Sequence, residues 1–114
     1  MAEAGPCGVS MMNSDSRFEF VNEALAEGLG YHVADLIGSP WIDVVFPEDR
    51  QAVLEAVDNV TFIGRFAIQC RLAHRDGKLT NVELLFTTRK GANNTDSGLF
   101  CFCKAIDVQA VTIA

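Results

Sequence analysis

Two hydrophobic periods divide this chain. Between residues 47 and 60 apolar side chains recur at helical spacing, and from Arg65 onward they recur at every second position. The first period predicts a helix and the second a set of strands. Pro47 suits a first helical turn, where its missing N–H costs nothing, and Glu48 and Asp49 follow where the positive end of the helix dipole favours acids. The helix is predicted to run to Asn59. Ala52, Val53, Ala56, Val57 and Val60 form its buried stripe, and Arg50, Gln51, Glu55 and Asp58 face water. In residues 65–73, Phe66, Ile68, Cys70 and Leu72 share one face while Arg65, Gln69 and Arg71 share the other, the pattern of a strand with one covered side. Arg75-Asp-Gly-Lys78 is a tight reversal, and Val82, Leu84 and Phe86 carry the inward parity onto the returning strand. Residues 91–98 read as a long polar loop. The last strand, Leu99 to Ile106, is apolar on both faces, which suits the centre of a sheet whose second face is also partly covered.

The N-terminal half is punctuated more densely. Cys7 to Met12 reads as a first strand, Asn13-Ser-Asp-Ser16 as a turn, and Arg17 to Val21 as a second strand with Phe18 and Phe20 on one face. The two are predicted to form a hairpin. Asn22 is placed to cap a helix. Leu25 and Leu29 make the apolar stripe of that helix, and Gly28 and Gly30 are read as its stops. Val33 to Ile37 is another helical piece closed by Gly38, and Ser39-Pro40 breaks the chain. Trp41 to Phe46 is a crowded apolar turn expected to cover the interior. Helices this short do not make a bundle, but they can wrap one side of a sheet. The predicted fold class is α+β, one five-stranded antiparallel sheet with short helices packed on one face.

Composition narrows the function. At 114 residues the chain is one domain with one core. A net charge of −6 argues against a nucleic-acid surface and against adsorption to an anionic membrane. No apolar run reaches the roughly 18 residues of a membrane helix, and the start lacks the basic segment of a secretory signal. The four cysteines are read as reduced thiols, since Cys101 and Cys103 share a strand face without opposing one another. A cytoplasmic location is therefore expected. The Asn59 and Asn93 glycosylation patterns carry no weight without a signal sequence.

Phe20, Val21 and Asn22 leading into a helix, Gly30-Tyr31, Asp35-Leu-Ile-Gly38, Pro47-Glu-Asp-Arg50, Arg71 ahead of Arg75-Asp-Gly77, and Ile106-Asp107 closing the last strand together resemble a PAS domain. The resemblance covers about residues 7–107, leaving 1–6 as a leader and 108–114 as a tail or the start of a linker. It implies the strand order 2-1-5-4-3, a central cavity, and a sensing or partner-contact role in a signalling protein. It also implies that Asp49 and Arg50 fix the long helix to the neighbouring loop. Several departures matter. The photochemical flavin members carry a Cys-containing motif that residues 46–51 lack. The xanthopsin-like photoreceptors carry a chromophore-bearing Cys before the strand at residue 65, and none is present. Haem-binding members commonly use a His on the long helix, and residues 47–59 contain none. His32 and His74 are read as surface residues.

No nucleophile and base stand in a recognisable arrangement, and no glycine-rich phosphate loop is present. Glu83 faces away from the interior, and the isolated chain is expected to have no catalytic activity. A small enzyme built on a similar curved sheet is the third reading, after two that share a signalling role. In the first, a small apolar ligand sits in a cavity lined by Trp41, Phe66, Ile68, Cys70, Leu72, Leu84, Phe86, Leu99 and Cys101. The cofactor is unknown, and inward Asn or Gln residues that would hold a flavin edge are missing. Three thiols with inward parity, Cys70, Cys101 and Cys103, lack a fourth ligand for zinc and are read as small buried hydrophobes, so no metal site is assigned. In the second, the core is filled and the module works through protein contact. Leu85, Phe100 and Phe102 would form an outer apolar patch that a second copy covers, with a fused output domain beyond.

Overall fold

The computed structural model describes residues 8–90 and 97–106. Cys7, the leader 1–6, most of the polar loop, and the tail 108–114 lie outside them. The elements are β1 (Gly8–Met12), β2 (Phe18–Val21), α1 (Glu23–Leu29), α2 (Val33–Leu36), two 3-10 turns (Trp41–Val44 and Pro47–Asp49), α3 (Arg50–Ile63), β3 (Arg65–Ala73), β4 (Leu79–Lys90) and β5 (Ser97–Ala105). The strands form one five-stranded sheet of order β2-β1-β5-β4-β3, every pair antiparallel. This is the order implied by the resemblance. The last strand is central, as its two apolar faces required. Among the described residues no helix is long and apolar enough to cross a membrane.

The N-terminal hairpin departs from simple alternation. Ser10 faces Val21 and Met11 faces Phe20, but Met12 faces Phe18, so the register slips between Met11 and Met12. The extra residue on β2 is a β-bulge, which turns subsequent side chains to the other face. Phe18 and Val21 are buried, whereas Phe20 is 45% exposed. Phe18 and Phe20 therefore do not share a face.

Asn22 caps α1. Its Oδ1 accepts from the Leu25 N–H at 3.0 Å and also from the Val9 N–H at 3.1 Å, so one side chain starts the helix and fastens it to β1. Of the two glycines read as stops, only Gly30 is one. Its φ of 83° is left-handed, and its N–H closes onto the Glu27 carbonyl. Gly28 lies inside the helix.

On α3, Val53, Ala56 and Val60 are buried and Val57 packs against the core, but Ala52 is exposed. Ala52 lies roughly 90° round the helix from the centre of that stripe, so it misses the sheet. The helix also runs past Asn59 to Ile63 before ending at Gly64. The core is a single cluster between the helices and one face of the sheet, with Phe86, Val53 and Val60 fully sealed from solvent.

Candidate functional site

The inner face of the sheet and the turn at Trp41–Val44 border a partly open cavity of only about 20 Å³. Of the nine side chains read from the sequence as pocket-lining, Trp41, Leu72, Leu84, Phe86 and Cys101 reach it. Cys70 is buried in the same core, and Phe66, Ile68 and Leu99 pack against it from its margin. The cavity is also lined by residues the sequence reading did not name for it, among them Met12, Phe18, Leu25 and Val45. Trp41 and Phe86 meet as a tilted aromatic pair with ring centres 5.6 Å apart. The buried Ser10 hydroxyl donates to the Met12 sulfur at 3.6 Å. A space of this size holds about one water molecule.

The inner thiols are packing groups. Cys70, Cys101 and Cys103 are buried and form no disulfide. Burial, helped by the nearby Asp49 charge, pushes the Cys70 thiol up to about 11, so it stays protonated and unreactive near neutrality. Among the described residues no group of three or more His, Cys, Asp or Glu is placed to hold a metal ion.

The opposite face of the sheet carries an apolar patch of its own. The strand register sets Val9, Phe102, Leu85 and Ala67 in one row and Phe20, Met11 and Phe100 in the next. Phe20 and Phe102 are 45% and 39% exposed. A row of Lys104, Glu83 and Gln69 borders the patch on one side. On the other side Arg89 of β4 pairs with Glu19 of β2, crossing above β5 where Gly98 has no side chain. Leu85, Phe100 and Phe102 were legible by parity. Val9 and Met11 follow the same alternation in β1. Phe20 could not be assigned to this face, because the bulge that turns it outward leaves no signal in the alternation itself.

A polar latch holds the helical layer to the sheet edge. The Arg71 guanidinium donates to Asp49 from Nη2 to Oδ1 at 2.7 Å and from Nε to Oδ2 at 3.0 Å, and the Arg71 backbone N–H donates to Oδ2 at 2.8 Å. The Arg71 head also lies over the Phe46 ring, 4.6 Å from its centre. These hydrogen bonds hold the Asp49 carboxyl below its usual range. Asp49 thus pairs with β3 and not with its neighbour Arg50. Arg50 donates instead to the carbonyls of Val45 and Asp43, tying α3 to the preceding turn. Both residues are structural, and Arg71 is turned to Asp49 and not simply to water. His32 is exposed, but His74 is half-buried. Its ring sits over Gly30, where a Cβ would overlap it, and its Nδ1 lies 2.9 Å from Asp76.

A family model described as the PAS fold matches residues 18–101. Among solved structures, the chain is similar to the PAS domain of a Colwellia psychrerythraea protein, with a TM-score of 0.81 and 19% identity over 88% of this chain and 86% of that one. It is also similar to the N-terminal domain of a diguanylate cyclase with PAS/PAC sensor from Marinobacter aquaeolei, with a TM-score of 0.75 and 18% identity over 92% and 99% of the two chains. The PAS-B domain of Drosophila melanogaster Cycle with bound ethylene glycol gives a TM-score of 0.78 and 13% identity over 87% and 99%. At such identities the likeness speaks for the fold. No curated protein matches significantly. The family model spans well over half of the chain, and the sheet order, capped short helices and covered inner face agree with it; the chain belongs to the PAS fold family.

Proposed function

We propose that this chain is a cytoplasmic signalling module that pairs with a second copy of itself through the outer face of its sheet and relays a signal to a fused output domain or partner. The observation that carries this reading is the pair of apolar rows, Val9-Phe102-Leu85-Ala67 and Phe20-Met11-Phe100, left uncovered by the helices. Burying such a patch is favourable by roughly 25 cal/mol per Å² of apolar surface. The rim adds selectivity. Glu83 and Lys104 stand side by side on it, and a two-fold partner presents the same pair, so each charge can meet its opposite. Membership of a sensory fold family supports the signalling part, as does the similarity to the N-terminal domain of a diguanylate cyclase.

The interior favours the ligand-free form of this reading. A cavity of about 20 Å³ cannot take a flavin or haem without unpacking Trp41, Phe86 and their neighbours. The module then acts through contact and not through chemistry of its own. No phosphoryl transfer or nucleotide cyclisation by the pure chain is expected.

Sedimentation of the wild type beside a Phe102→Glu variant tests the reading. The wild type is expected to be a dimer at micromolar concentration and the variant a folded monomer, because Phe102 lies outside the core. A monomeric wild type, or a variant that associates equally well, overturns it.

A further inference from the structure

The two edges of the sheet are not protected equally. The edge at β2 is four residues long, carries a bulge, and at Phe18 exchanges hydrogen bonds with Gly38 and Ser39. The edge at β3 is regular and longer. The Gly64 carbonyl accepts from the Thr88 N–H at one end of the β3–β4 ladder, and the His74 N–H donates to the Lys78 carbonyl at the other. The even-numbered residues of β3 therefore turn their backbone groups to β4, and the odd-numbered ones turn theirs to the edge. At Arg71 the edge is already engaged, since its N–H donates to Asp49 and its carbonyl accepts from the Phe46 N–H. Arg65, Ala67 and Gln69 are exposed, and among the described residues no group pairs with their edge-facing N–H and C=O.

An open edge invites another strand, and proteins commonly blunt it with a proline, a bulge or a charge. Residues 66–70 carry no proline and no charge, and the β3–β4 register runs unbroken from Arg65 to Ala73. We infer that β3 pairs antiparallel with β3 of a second copy, across a two-fold axis at Ala67.

The register names the occupant, because the open stretch is its own complement. With the axis at Ala67, Arg65 falls opposite the partner's Gln69, and every open backbone group of both copies finds a partner. No like charges stand opposite one another. On the inner side Phe66 falls opposite the partner's Ile68, and both are half-buried apolar side chains suited to a cross-strand pair. Displacing the axis toward Arg65 leaves Gln69 facing residues of α3, which have no strand edge to offer. Displacing it toward Gln69 sets Arg65 or Ala67 against Arg71, whose backbone is engaged. This edge is a different surface from the patch at Phe102, and its pairing does not rest on the outer-face dimer. It is short, so it is the weaker contact and forms at higher concentration. A chain using both surfaces joins outer-face dimers edge to edge.

Amide hydrogen exchange of the isotope-labelled chain, carrying Phe102→Glu to remove the outer-face contact, tests this from about 20 μM to about 2 mM. The Arg65, Ala67 and Gln69 amides are expected to gain roughly tenfold protection across that range, while Phe66 and Ile68, already bonded to β4, change little. Ala67→Pro removes an N–H that bonds nothing within the described chain, so the fold should persist and the gain should vanish. Gln69→Arg sets like charges opposite one another and should weaken the gain, and adding Arg65→Glu should restore it. Absence of the gain, or a gain that survives Ala67→Pro, overturns the inference. Protection independent of concentration also overturns it, because the same chain then covers its own edge. Failure of Arg65→Glu to restore the Gln69→Arg loss overturns the register. If Ala67→Pro does not fold, the charge series decides alone. Sedimentation of the wild type beside Phe102→Glu at micromolar concentration reads the outer-face dimer separately, so failure of one reading leaves the other measurable.

Discussion

Phe86 and Phe102 stand on adjacent strands, one pairing position apart, and point to opposite faces of the sheet. Phe86 is fully buried against Trp41 beneath the helical layer, whereas Phe102 is 39% exposed. The strands treat the two alike. What separates them is that the described helices pack on one side, so one apolar face becomes a core and the other remains a surface. A core face is covered within one chain, whereas an apolar outer face is a surface open to association. The difference predicts unequal responses to the same truncation. Phe86→Ala should lower the unfolding free energy by about 3–5 kcal/mol, from lost burial plus a cavity that cannot collapse. Phe102→Ala should cost under about 1 kcal/mol in dilute monomer, and its main effect should appear in association. Urea unfolding of both variants at low concentration checks this. A Phe86→Ala loss below that of Phe102→Ala would mean that the interior tolerates empty space, which is the behaviour of a ligand pocket.

The hairpin repeats the contrast on a smaller scale. Phe18 is 4% exposed and Phe20 45%, although an unbroken strand would put them on one face. Phe18→Ala is expected to cost about 3 kcal/mol and Phe20→Ala under about 1 kcal/mol. Equal losses would mean that the bulge is absent in solution. This pair also marks the limit of what alternation can disclose. In β3, β4 and β5 no bulge intervenes, and the parity of Leu84, Phe86, Cys101 and Phe102 could be read directly. A bulge changes the parity without changing the pattern, and here it moved Phe20 from the core to the outer face. The stop at Gly30 was legible, but the helical place of Gly28 was not, because sequence cannot distinguish a glycine whose backbone turns left-handed from one that stays in the helix. The size of the cavity was equally hidden. It depends on how Met12, Phe18, Leu25 and Val45 interdigitate, and composition fixes none of that.

The helical layer stays on its side of the sheet partly through Asp49, whose carboxylate accepts three hydrogen bonds from Arg71. Asp49→Asn should cost on the order of 1–2 kcal/mol near neutral pH, the lower end reflecting partial exposure of the pair. The sign with pH follows from the depressed carboxyl. A group held below its ordinary value of 3.8 stabilises the fold fully above that value and loses its contribution as pH falls through the lower, folded value. The wild type and Asp49→Asn should therefore differ most above about pH 5 and converge in acid below about pH 4. A constant difference across that range would show that the stabilisation comes from shape and not from charge. Cys70, packed nearby and pushed up to about 11, stays neutral throughout and leaves this window undisturbed.

The smallest expected effect has the opposite sign and concerns the glycine inside α1. Gly28→Ala adds a methyl group within α1 where the helix favours it and where no atom lies within 4 Å of the new Cβ. Alanine exceeds glycine by roughly 0.5–1 kcal/mol at such a position. Gly28→Ala should therefore raise the unfolding free energy by up to that amount and shift the thermal midpoint upward by a few degrees, on the order of 2–6 °C for a domain of this size. The same change at Gly30, two residues on, should destabilise, because φ is 83° there and the His74 ring occupies the site of the new carbon. Thermal unfolding of the two variants side by side separates a glycine that shapes the backbone from one that the backbone does not need. If Gly28→Ala also destabilises, α1 does not hold in solution the helical conformation at Gly28 that its geometry describes.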